Sequence, residues 1–165
     1  MNKIPNKIHS VRVDGRVFQD TLQELKKVGD GNKEGIAYWS GTLNETKATI
    51  KNVMFADEYP EFHNEELFAS VSLDMSFKIG EKIHERNEIL FAQVHTHPGE
   101  AFHSFVDNTY PISHRVGFFS IVIPYFGKNV NSLSQCKIFE YEGKAKWHEL
   151  NKDEIKRKFE VEGNE

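Results

Sequence analysis

An apolar run, Ile89 to Val94, leads straight into His95-Thr96-His97-Pro98, and Ser104 and Asp107 follow shortly after. Such a run reads as a buried strand. Residues two apart on a strand point to one face, so His95 and His97 project together while Thr96 points away. Pro98 has no N–H to give to a sheet ladder and stops the strand. Ser104 to Asp107 fits the first turn of a helix, where positions three apart share a face. The chain must therefore fold so that a strand end carries two converging imidazoles and the next element brings up a carboxylate. Two nitrogens and one carboxylate oxygen, with a fourth tetrahedral position left for water, form the open arrangement of hydrolytic zinc. Composition alone yields an H-x-H about 0.4 times in a chain like this, and requiring the following Pro lowers that to roughly 0.01.

These residue types suit one another chemically. Zinc with three protein ligands lowers the pKa of its bound water toward about 7. A carboxylate outside the ligand set can take that proton and return it to a departing amine. A hydroxyl that donates to the developing oxyanion contributes roughly 3 kcal/mol. Covalent catalysis has no comparable support, because the sole cysteine, Cys136, lies in Leu133-Ser134-Gln135-Cys136-Lys137-Ile138, far from the histidines, and reads as a strand residue. A cytidine-deaminase reading lacks the P-C-x-x-C that its zinc site requires.

The pattern resembles the JAB/MPN family of zinc metallopeptidases, whose JAMM motif is an upstream Glu, then H-x-H-P, a short spacer and S-x-x-D. On that resemblance His95, His97 and Asp107 are the metal ligands, and Ser104 assists the tetrahedral intermediate. The upstream Glu is matched by Glu34, which opens Glu34-Gly35-Ile36-Ala37-Tyr38-Trp39-Ser40-Gly41, a Glu followed by a small residue and an apolar strand ending in Gly. Glu34 is then the proton carrier, with Glu45, in a polar turn, as the alternative.

At 165 residues the chain is one domain of ordinary size, able to bury a core without disulfides. One cysteine fits a reducing compartment. No charged-then-apolar leader and no apolar run of roughly 20 residues occurs, so the expectation is a cytoplasmic protein with no membrane partner. The net charge of −4, without a basic stripe, argues against nucleic acid as a partner. Thirteen Phe are a heavy aromatic load, most of it core, with some available to line a peptide groove.

Along the chain, Lys7 to Val13 alternates as a strand, Asp14-Gly15 turns, and Phe18 to Val28 has helical spacing, with Phe18, Leu22 and Leu25 on one face. Gly29 to Asn32 closes that helix. Gly35 to Leu43 reads as a central strand with Thr46 to Phe55 as its hairpin partner. The acidic stretch Ala56 to Glu66 reads as a surface loop, and Leu73 to Glu85 as a helix with Met75, Ile79 and Ile83 on one face. After the metal segment come strands at Val116 to Pro124, Gln135 to Tyr141 and Lys144 to Leu150, with a turn region from Gly127 to Ser134. This order is the α/β class, a single-domain sandwich of a mixed sheet flanked by helices. The resemblance implies the JAB/MPN-like, cytidine-deaminase-like version of it over residues 5–150. Residues 151–165 form a charged tail or helix whose Lys, Arg and Glu pattern suits a solvated surface.

Other polar residues have weaker claims. His63 sits among Glu61, Glu65 and Glu66, but their spacing matches no ligand template. His103 precedes Ser104 and reads as a loop histidine that could contact substrate; Glu100, His114 and His148 belong to no motif.

The resemblance further implies hydrolysis of an amide or isopeptide bond after the C-terminal Gly of a ubiquitin-like protein, with an extended tail lying beside a strand edge. The chain resembles the compact bacterial members of the family, which occur with E1/E2-like conjugation proteins, including in antiphage operons. Alternatives are a non-catalytic MPN scaffold, a zinc peptidase that processes a sulfur-carrier precursor or other peptide, and a RadC-like protein of DNA transactions.

Overall fold

The computed structural model describes residues 7–59, 63–65, 68–70, 73–102 and 112–163. Strand β1 (Ser10–Val13) leads into helix α1 (Gly15–Asp30), which starts three residues before the apolar periodicity does because the Asp14 side chain caps it, accepting from the Arg16 N–H at 2.8 Å. Strands β2 (Ile36–Asn44) and β3 (Lys47–Phe55) form the expected hairpin. A 3-10 turn (Ala56–Glu58) follows. The acidic segment is not wholly loop: β4 (His63–Glu65) pairs antiparallel with β5 (Phe68–Ser70) as a separate two-stranded ribbon. Helix α2 (Leu73–Glu85) has the bounds its periodicity predicts. Strands β6 (Ile89–Thr96), β7 (Phe119–Ile123), β8 (Lys137–Gly143) and β9 (Lys146–Glu149) come next. Helix α3 (Lys152–Lys158) and strand β10 (Phe159–Val161) end the described chain.

Eight strands make one mixed sheet in the order β10-β1-β3-β2-β6-β7-β8-β9. Alternation along β2 explains why both its faces are covered. Ala37 and Trp39 enter the larger core, which includes Phe18, Leu22 and Leu25 of α1. Ile36 and Tyr38 enter the smaller one, against Met75, Ile79 and Ile83 of α2. The helices therefore lie on opposite faces of the sheet, each buried apolar side chain contributing about 1.5–3 kcal/mol. The Trp39 indole N–H, which cannot be left unpaired there, donates to Thr21 Oγ1 at 2.9 Å.

The charged C-terminal segment is less solvated than its composition suggests. Asn151 and Glu154 form a reciprocal capping box, Ile155 is buried, and β10 runs parallel beside β1 in the register Val11↔Phe159. Phe159 packs edge-on against Phe119 of β7 at 5.0 Å, and Lys158 bonds Glu140 of β8 at 2.9 Å, so the sheet curls until its two halves meet. Cys136 lies just before β8 rather than within it. Among the described residues no helix is long and apolar enough to cross a membrane.

Candidate functional site

The site is built at the C-terminal end of β6, between β2 and β7. The ladder pairs Ala37 with Val94 and Ile36 with His95. Beyond that last pair the strands stay joined, because the Thr96 N–H donates to Gly35 O at 3.1 Å and the Gly35 N–H donates to Thr96 Oγ1 at 2.9 Å. Continuing the register sets Glu34 opposite His97. Cross-strand partners share a face, so Glu34 and Ile36 of one strand lie on the side of His95 and His97 of the other. Thr96 faces the other way and is occupied in holding Gly35. That glycine packs closely: a Cβ there would stand 2.7 Å from Cδ2 of Leu25, whose side chain would have to shift.

Both imidazoles are buried, each only 4 % exposed. Their ring centroids are 5.0 Å apart with the planes inclined at 51°. Two imidazoles bound to one tetrahedral cation at about 2.0–2.1 Å place their centroids about 5 Å apart, the separation this pair has. The loop behind them is fastened to the end of β7: the His97 N–H donates to Ile123 O at 2.9 Å, the Phe126 N–H to His97 O at 2.8 Å and the Tyr125 N–H to Gly99 O at 2.8 Å. Pro98 and Glu100 are exposed on that loop, and the Phe102 ring stands edge-on to the His97 ring at a centroid distance of 4.6 Å.

Of the five residues singled out from sequence, the structure brings His95 and His97 together, and Glu34, half-buried, lies two residues before Ile36, the ladder partner of His95. Ser104 and Asp107, like His103, lie outside the described residues. Among the described residues no group of three His, Cys, Asp or Glu completes a metal site. Glu45 is poorly placed to serve instead of Glu34. It occupies the turn after β2, a strand of nine residues, and so sits about 30 Å from the histidine end. His63 is on β4, in register with Ser70. Cys136 is buried and its thiol is pushed up to about 12 by burial, which leaves it no thiolate at neutral pH.

Sequence reasoning passed over two features of the site. Tyr38 lies beside Ile36 on the histidine face, fully buried, and burial first and the neighbouring Tyr59 second raise its phenol well above the ordinary range. The strap Tyr125 to Gly127 carries three consecutive positive φ values. Only the Gly in Tyr125-Phe126-Gly127 hinted at that backbone.

No protein-family model matches the chain. It is similar to a probable metalloprotease, y4jG, of Sinorhizobium fredii, with 25 % identity over 126 residues, covering 76 % of this chain and 78 % of that protein. Its fold is similar to the solution structure of protein DSY2949 from Desulfitobacterium hafniense, with a TM-score of 0.67 over 93 % of this chain and 94 % of that one, at 11 % identity.

Proposed function

We propose that the chain is a zinc metallopeptidase of the JAB/MPN type, hydrolysing the bond after the C-terminal Gly of a ubiquitin-like protein to release it from a conjugate or trim its precursor. The observation that carries this reading is the buried pair His95 and His97, 5.0 Å apart at the end of a central strand, with Glu34 across the ladder. The similarity to a probable metalloprotease over three quarters of the chain supports the peptidase class. His95 and His97 would hold the metal with Asp107 as third ligand. Zinc bound there supplies Lewis acidity and a nucleophile available at neutral pH.

The chain's own residues do the rest. Glu34, anchored by the Gly35–Thr96 bonds on one side of the pair, accepts the proton of the attacking water on its carboxylate and returns it to the leaving nitrogen. Ser104 donates its hydroxyl to the oxyanion. The close packing of β2, β6 and the β7 strap holds the imidazoles in place before substrate arrives, so little reorganisation accompanies the reaction. The β4–β5 ribbon, a two-stranded sheet by itself, supplies edges along which an extended tail can add main-chain hydrogen bonds.

The test is zinc content by elemental analysis, together with cleavage of a ubiquitin-like protein fused through its terminal Gly to a reporter, with and without chelator. One zinc per chain and chelator-sensitive cleavage after Gly are expected. Zinc without cleavage of any Gly-terminated fusion moves the substrate elsewhere, and a chain that binds no zinc overturns the reading.

A further inference from the structure

Among the described residues, four large apolar side chains are exposed: Leu73, Phe77, Phe102 and Tyr125. Two of these belong to the histidine loop and its strap. Phe102 is 58 % exposed although its ring stands edge-on to His97 at 4.6 Å. Tyr125 is 48 % exposed although its N–H is fixed to Gly99 O at 2.8 Å. Its backbone is left-handed, φ 52°, as is that of Phe126, φ 53°, before Gly127 at 79°. Aromatic L residues rarely enter that region, because Cβ crowds the following carbonyl.

Gly or Asn would be the least strained choice at position 125. Phe126 has a packing reason to be aromatic, since it is buried against Gly29 of α1. The Tyr125 ring is half in water, on a left-handed backbone held by its own N–H bond to Gly99 O at 2.8 Å and by the Lys128 N–H bond to the Tyr125 carbonyl at 3.0 Å. Strain kept in place by its surroundings marks functional sites. Rigid rings also offer a large contact area at small entropic cost.

We propose that Tyr125 and Phe102 determine specificity, as two aromatic walls flanking the His97–Gly99 loop that hold an apolar side chain of an extended peptide close to the bond to be cleaved. This rests on the peptidase reading above. The rim also carries the exposed Glu100, which disfavours an acidic side chain at the same place.

The probes are acetyl-Leu-Gly-Gly and acetyl-Ser-Gly-Gly, each as the free acid and as the aminomethylcoumarin amide, with the zinc-loaded full chain. By calorimetry the Leu acid binds at least about fivefold more tightly than the Ser acid, a ratio in keeping with one buried apolar side chain. The ratio falls below about twofold in Tyr125→Asn, which tolerates the left-handed backbone, and in Phe102→Ala, and it persists in Tyr125→Phe. Zinc stoichiometry and thermal midpoint, compared across all four proteins, separate loss of the walls from loss of the fold. A wild-type chain that binds neither acid, or both equally, overturns the proposal, as does an unchanged ratio in either folded wall variant. The amides read the other question: selective binding without cleavage counts against hydrolysis after Gly, moving the cleaved bond elsewhere, and leaves the walls standing, whereas cleavage without selectivity ends the walls alone.

Discussion

The Phe126 N–H donates to the carbonyl of His97 at 2.8 Å, tying a candidate metal ligand to a strap that is wedged beneath α1. The wedge depends on Gly29, where a Cβ would fall 2.8 Å from Cγ of Phe126. Gly29→Ala is therefore expected to overpack this contact, costing about 1–3 kcal/mol of stability in chemical denaturation. Zinc affinity falls with it, because His97 shifts with Phe126; unchanged affinity in a destabilised variant would show that the strap does not position the ligand.

Glu34 is assigned to proton transfer and not to holding the metal. Glu34→Gln should leave zinc stoichiometry intact and lower kcat by about 10²–10⁴-fold, the range of general acid–base catalysis. His95→Ala should lose zinc and activity together. Turnover and metal content measured on both variants decide the matter, and near-normal turnover in Glu34→Gln would remove the carboxylate from the mechanism.

The Tyr38 hydroxyl is buried with no hydrogen-bond partner among the described residues. An unsatisfied buried donor costs stability, and Phe fills the same volume without one. Tyr38→Phe should raise the unfolding free energy by about 1 kcal/mol. A loss of stability in urea denaturation would mean that the hydroxyl is satisfied by an internal water.

Lys158 and Glu140 pair at 2.9 Å with side chains only 12 % and 11 % exposed. Removing one partner strands a buried charge, so Lys158→Met should cost about 3 kcal/mol or more, while the double replacement Lys158→Met with Glu140→Leu recovers most of it. A thermodynamic cycle built from the two single variants and the double variant measures the coupling. If the double variant is as unstable as the singles together, the contact across the curled sheet is not an ion pair of consequence.

Elements whose pattern is complete within themselves were readable from the chain. The face Met75, Ile79 and Ile83 defines α2 at both ends, and two apolar strands around a polar turn define the β2–β3 hairpin. The spacing His95-x-His97 after an apolar strand was enough to bring two imidazoles onto one face. Short strands were not readable, because three residues carry too little periodicity and exist only through their partners. Thus β4 was hidden in an acidic stretch and β10 in a charged tail.

The sequence by itself therefore determined the alternation of strands and helices, which strand carries the histidines, and which residue types stand beside them, since these follow from periods of two and 3.6 and from side-chain chemistry. Only the tertiary structure decided that Gly35 and Thr96 bond beyond the last pair of the β2–β6 ladder, that Phe126 ties the histidine loop to α1, and that α3 and β10 curl the sheet onto β7 and β8. Those contacts join segments far apart in the chain, and their free energy comes from hydrogen bonds and packing that do not exist until the distant partner has arrived.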